Sequence, residues 1–126
     1  MAKRILVVDD DLYIRELYEE VLKDEGYNVE TAKDGEETLG KAQQGGYDLI
    51  LLDIMMPKLD GLGVMDALQK NPPANPNGPI LLLTNLDHDP LIKEAMEKGA
   101  QAFIIKADIT PADLLVQVRK FLGETS

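Results

Sequence analysis

The chain has no cysteine and no tryptophan among its 126 residues, and aromatic residues make up only 5% of it. Without cysteine there is no disulfide, thiolate metal site or thiol nucleophile, which is compatible with a reducing cytoplasm. Positive charge is scarce: 13 Lys and Arg stand against 23 Asp and Glu, for a net charge of −10. That excess repels the phosphates of nucleic acids and anionic lipids, so neither direct nucleic-acid binding nor membrane binding is expected. No apolar run approaches the roughly 20 residues that span a bilayer, and the start Met1-Ala2-Lys3-Arg4 leads into a short strand pattern rather than a signal-peptide core. The composition, 44% hydrophobic, suits one domain over residues 1–126 with no separate output domain. A soluble, cytoplasmic protein is expected, with proteins and metal ions as partners.

Five short apolar runs punctuate the chain. Ile5–Val8, Leu49–Leu52 at the end of the strand segment Tyr47–Leu52, and Ile80–Leu83 are continuous and apolar, the pattern of strands buried on both faces. Tyr27–Ala32 alternates Val29 and Thr31 with Asn28 and Glu30, which suits an edge strand, and Gln101–Ile105 makes a fifth. Helical spacing fills the gaps: Ile14, Leu17, Tyr18, Val21 and Leu22 before Gly26; a segment opened by Asp34 with Glu37 three residues on; Leu62, Met65 and Leu68 before Asn71-Pro72-Pro73. Asp89-Pro90 opens a fourth helix closed by Gly99, and Thr110-Pro111-Ala112-Asp113 caps a fifth. Pro72–Pro79 reads as a stiff connector without evident chemistry. Strands alternating with helices predict an α/β fold, (βα)5, with a parallel sheet covered on both faces. Ligands of such folds bind beyond the carboxyl ends of the strands.

Those ends carry the chemistry. The first run meets Asp9-Asp10, the third Asp53, the fourth Thr84 and the fifth Lys106. Three carboxylates at close range resist joint ionisation unless a cation neutralises them, and Mg2+ suits an all-oxygen set, with the main-chain carbonyl of Met55 as a further donor. Asp53, in the middle of the cluster, is best placed to attack phosphorus as a carboxylate nucleophile, with Lys106 and Thr84 taking phosphoryl oxygens.

With its Val7-Val8-Asp9-Asp10-Asp11, Asp53-Ile54-Met55-Met56-Pro57-Lys58-Leu59-Asp60-Gly61, Thr84 and Lys106, the chain resembles, over essentially its whole length, the response-regulator receiver domains of two-component signalling. The resemblance implies a flavodoxin-like three-layer sandwich with a five-stranded sheet in the order 2-1-3-4-5. It implies Asp9 and Asp10 as the acidic pair for Mg2+, Asp53 as phospho-acceptor, Thr84 as switch hydroxyl, Lys106 as the phosphoryl-pairing lysine and Phe103 as an aromatic switch whose ring turns inward. It also implies a sensor histidine kinase or phosphotransfer protein as phosphohistidine donor and a downstream protein target at the fourth helix, fifth strand and fifth helix. The mixed charges of the last two helices, among them Glu94, Lys98, Asp113 and Arg119, are compatible with a phosphorylation-dependent homodimer or with a solvated face. Such a protein is not an enzyme beyond catalysing its own phosphorylation and slow dephosphorylation.

Two positions depart from the family pattern: Ala107 stands where proline is usual, and Asn85 where a small residue is typical. Met55 and Leu86, two apolar residues where the acyl phosphate's lifetime is tuned, predict slow loss of the phosphoryl group. His88, without a second metal ligand nearby, reads as surface, and Met55-Met56 as packing and loop plug. A phosphoesterase needs a proton donor two residues after its nucleophile, and Met55 has none. No glycine-rich loop follows the first strand for a nucleotide, and the acidic turn with no tryptophan argues against a flavin carrier. The rival that remains is an unswitched, protein-binding module of the same fold.

Overall fold

The computed structural model describes residues 2–56, 58–85, 90–107 and 109–124. Strands and helices alternate: β1 (Arg4–Val8), α1 (Leu12–Asp24), β2 (Asn28–Ala32), α2 (Gly35–Gln44), β3 (Leu49–Asp53), α3 (Gly61–Lys70), β4 (Ile80–Thr84), α4 (Pro90–Glu97), β5 (Ala102–Ile105) and α5 (Pro111–Phe121). All strand pairs are parallel, in the order β2-β1-β3-β4-β5, so the half-polar β2 lies at one edge as its alternation predicts.

The continuous apolar strands are continuous because both of their faces are covered. Alternate residues Ile5, Val7, Leu49, Leu51, Leu81 and Leu83 point to one layer, where they meet Tyr18 and Leu22 of α1 and Leu114 and Val118 of α5. Leu6, Val8, Ile50, Leu52 and Leu82 point to the other, against Ala42 of α2, Leu62 and Met65 of α3 and Ile92 and Ala95 of α4. Each such Leu or Ile contributes about 1.5–3 kcal/mol of burial free energy. The helices change face between α1 and α2, because the chain leaves β1 towards β2 and then crosses back to β3. Right-handed crossovers put the reversal between β1 and β3, and a crevice opens there at the carboxyl ends.

Local chemistry sets the helix ends. Asp11 caps α1 by accepting from the N–H groups of Tyr13 and Ile14, and Asp34 caps α2 through Glu37. Glu37 reaches back to the N–H of Lys33 (2.8 Å). Thr110 and Asp113 form the reciprocal capping box on α5. Asp60 is the N-cap of α3, accepting from the Gly63 N–H at 2.8 Å. The expected cap Asp89 of α4, and Pro57, Leu86 and His88, lie outside the described residues.

The connector before β4 does more than its sequence suggests. Asn77 accepts from the Tyr47 N–H (3.1 Å) and donates to the Ala42 carbonyl (2.9 Å), Gly46 N–H donates to Asn75 O (3.1 Å), and Gly78 N–H donates to Tyr47 O (2.7 Å). Its backbone and side chains therefore close the amino-terminal edge of the sheet over the end of α2. For the same reason β3 begins at Leu49 and not at Tyr47, whose N–H is taken by the connector.

Candidate functional site

At the opposite, carboxyl edge, β1, β3, β4 and the loop after β5 deliver Asp9, Asp10, Asp53, Thr84 and Lys106 to one crevice. The cleft, of about 380 Å³, is lined by Asp10, Asp53, Ile54, Met55, Thr84, Asn85 and Lys106. Asp9, Asp53 and Thr84 are buried, whereas Asp10 is exposed. Carboxylate oxygens of Asp9, Asp10 and Asp53 all lie within 4.8 Å of one another. The run Asp9-Asp10-Asp11 thus divides its labour: two carboxylates enter the cluster and the third caps α1.

Lys106 is the cation of the cluster. Its Nζ donates to Asp9 Oδ2 at 3.0 Å and to Asp53 Oδ2 at 3.4 Å, with its side chain only 10% exposed. Its position is fixed from the main chain, where the Lys106 N–H donates to the Thr84 carbonyl (2.7 Å) and so extends the β4–β5 pairing. Asp9 Oδ1 accepts from the Asp11 N–H (2.9 Å), and Asp53 Oδ1 from the Met55 N–H (3.1 Å). Each buried carboxylate therefore keeps one oxygen on the backbone and offers the other to Lys106.

Electrostatics leave this cluster short of positive charge. Burial first, and then the Asp9 anion, raise the Asp53 carboxyl; Lys106 and the Met55 N–H pull it only partly back, and the net result is about 7. Burial lowers the Lys106 ammonium, but Asp53 and Asp9 more than offset that, so its net shift is upward. A small hard cation is the natural remedy: the donors are all oxygen, they converge, and Mg2+ is commonly held by one or two carboxylates with water completing its shell.

One expectation needs correction. Met55, expected to pack as a plug, is 59% exposed at the cleft, whereas Met56 is half-buried against the core. Phe103, the aromatic that the resemblance marks as a switch, is 40% exposed and borders a separate groove of about 370 Å³ with Ile105, Ile109 and Val116 between β5 and α5. Its position on an edge strand leaves one side of the ring uncovered. Arg15 was missed altogether: its Nη1 donates to the Asp9 carbonyl at 2.8 Å, and an arginine on a helix carries no pattern that foretells such a reach.

The response regulator receiver domain model matches residues 5–119. The chain belongs to the receiver family. Among its relatives are the probable transcriptional regulator ycf27 of Cyanophora paradoxa, 41% identical over 123 residues, and the alkaline phosphatase synthesis transcriptional regulatory protein PhoP of Bacillus subtilis, 40% identical over 122. These matches take in 98% and 97% of this chain but 49% of either relative, so the chain spans about half the length of the curated relatives it matches. Among solved structures, a CheY-like receiver domain protein from Methanospirillum hungatei is 31% identical with a TM-score of 0.86, covering 98% of this chain and 95% of that one. The chemotaxis protein CheY4 of Vibrio cholerae is 33% identical with a TM-score of 0.82, covering 96% and 99%. The flavodoxin-like order 2-1-3-4-5 is that of receiver domains. Receiver domains of two-component response regulators are signalling switches and not classical enzymes.

Proposed function

We propose that this receiver domain is a phosphorylation switch that accepts a phosphoryl group on Asp53 from a phosphohistidine of a sensor histidine kinase or phosphotransfer protein. The observation that carries the reading is the convergence of Lys106 with Asp9 and Asp53, at 3.0 and 3.4 Å, in a cleft that Asp10 and Thr84 also line. Mg2+ fits the oxygen set of Asp9, Asp10, Asp53 and the Met55 carbonyl, and when bound it would supply charge neutralisation for the carboxylates and the incoming phosphoryl oxygens.

The residues do the rest by placement. A carboxylate oxygen of Asp53 forms a bond to phosphorus while the phosphorus–nitrogen bond to the donor imidazole breaks, its electron pair leaving with the nitrogen. Asp53 already has Oδ1 held by the Met55 N–H, so the attacking oxygen is Oδ2, the one that faces Lys106. Lys106 then turns from the carboxylate to a phosphoryl oxygen, and the Thr84 hydroxyl takes another. Positioning and charge stabilisation are nearly all that phosphoryl transfer asks of a protein.

The acyl phosphate adds about −1.5 to −2 charge at that point. Drawing Thr84 and Lys106 towards it would reset the carboxyl ends of β4 and β5, whose outer side carries Phe103. The α4–β5–α5 face is thus the proposed contact for a downstream protein or a second copy. Incubation with acetyl phosphate and Mg2+ followed by intact mass tests the reading: one phosphoryl adduct is expected on the chain and none on Asp53→Asn. Absence of an adduct on the unmodified chain would favour the unswitched protein-binding module.

A further inference from the structure

The three carboxylates of the cleft are held in different ways. Asp53 ends a central strand, and Asp9 is buried with both oxygens hydrogen-bonded, one to the Asp11 N–H and one to Lys106. Asp10 is exposed, its carboxyl meets that of Asp53, and among the described residues no cation pairs with it, so the backbone from which it hangs must hold it beside a like group.

One side chain reaches that backbone. Nη1 of the half-buried Arg15 donates to the Asp9 carbonyl at 2.8 Å. That oxygen belongs to the peptide unit whose other end is the Asp10 nitrogen, and a planar unit held at one end is oriented at the other. The start of α1 does not need the bond, because Asp11 caps the helix and the Arg15 N–H already donates to the Asp11 carbonyl at 3.0 Å. A charge-assisted bond from a rigid guanidinium is also among the stronger ways to hold a carbonyl.

On the metal-holding reading of the cleft, we propose that Arg15 is a positioning residue: by gripping the Asp9 carbonyl it sets the Asp10 carboxylate where, with Asp9 and Asp53, it closes on a small divalent cation. The sign of the effect separates this role from mere proximity of charge. A guanidinium acting only as a nearby positive charge opposes a second cation, so its removal would tighten metal binding. A positioning residue does the reverse, and loss of such an outer support weakens metal affinity about 10- to 100-fold.

The experiment is a Mg2+ titration of the full chain followed by amide nuclear magnetic resonance, without phosphodonor, for the wild type, Arg15→Met and Arg15→Lys. The expected result is binding at least about tenfold weaker in Arg15→Met, with spectral dispersion intact, and largely restored in Arg15→Lys, which keeps one donor of similar reach. Unchanged or tighter binding in Arg15→Met overturns the proposal. So does collapse of its dispersion, which would assign Arg15 to folding. A wild-type chain that does not respond to Mg2+ overturns the metal reading along with it. Weakened binding in a chain that also forms no phosphoryl adduct supports the role of Arg15 and removes only the acceptor reading.

Discussion

Asp53 is the residue on which opposing energies meet. Buried beside Asp9, it is pushed up to about 7 from an ordinary value near 3.9, so the folded state holds its proton more tightly than the unfolded chain does. A raised carboxyl contributes stability that is full below the unfolded value and is lost as pH rises through the folded one. Between about pH 4 and 7 the metal-free protein should therefore lose stability, by up to about 4 kcal/mol for a shift of this size. In chelator, Asp53→Asn should flatten that slope and be more stable than the wild type at pH 8 by about 2–4 kcal/mol in urea unfolding. Lys106 keeps its shorter contact with Asp9 in that variant, so little ion pairing is lost to offset the gain. A variant that retained the full pH slope would place the burden on another group. Lys106 supplies a second prediction: as a cation already in the cleft it competes with any metal, so Lys106→Met should bind Mg2+ roughly tenfold more tightly while accepting phosphate more slowly. Calorimetric titration of the two proteins measures the first effect, and equal affinities would contradict it.

At the scale of elements, legibility followed burial. β1, β3 and β4 were readable because a strand covered on both faces must be continuously apolar, and their polar ends then marked one edge of the sheet. The half-polar β2 was readable as an edge for the converse reason. Asp9, Asp10, Asp53, Thr84 and Lys106 could be gathered into one cleft because each ends or directly follows a strand pattern, so the parallel topology fixes the edge they share. Contacts between side chain and backbone were not legible. Nothing in the spacing of Arg15 announces its reach to the Asp9 carbonyl, and the exposure of Met55 depends on where the loop after β3 turns. The connector before β4 hid its role because Asn75 and Asn77 look like ordinary loop residues until α2 and β3 are laid beside them. Asn77→Ala removes a donor and an acceptor that hold Ala42 and Tyr47, and should cost about 1–3 kcal/mol in denaturant unfolding. Its bonds lie at the amino-terminal edge, a strand length from the cleft, so the rate of phosphorylation by acetyl phosphate should be unchanged. A loss of phosphorylation rate at preserved fold would show that the two edges are coupled.

The molecule as a whole places its backbone-tied connector and its candidate site at opposite edges of the sheet. The amino-terminal edge is tied by the connector, and the carboxyl edge carries an acidic cleft on a chain whose net charge is already −10. Adding a phosphoryl group there is tolerable only where cations are concentrated, which is why the proposed acceptor lies beside Lys106 and a site suited to Mg2+. A switch from about 1:99 to 99:1 needs roughly 5.5 kcal/mol of differential stabilisation, within reach of a few charge-assisted contacts at one phosphoryl group. Among the described residues no helix is long and apolar enough to cross a membrane. The groove between β5 and α5, with Phe103 and Val116 exposed along it, is continuous with the strand that ends at the cleft and would give the proposed change a surface on which to be read. All of this depends on one carboxylate becoming an acyl phosphate. The direct measurement is borohydride reduction of the acetyl-phosphate-treated protein followed by peptide sequencing. The account predicts homoserine at position 53 and nowhere else; homoserine at position 9 or 10, or unmodified aspartate at all three, would contradict it.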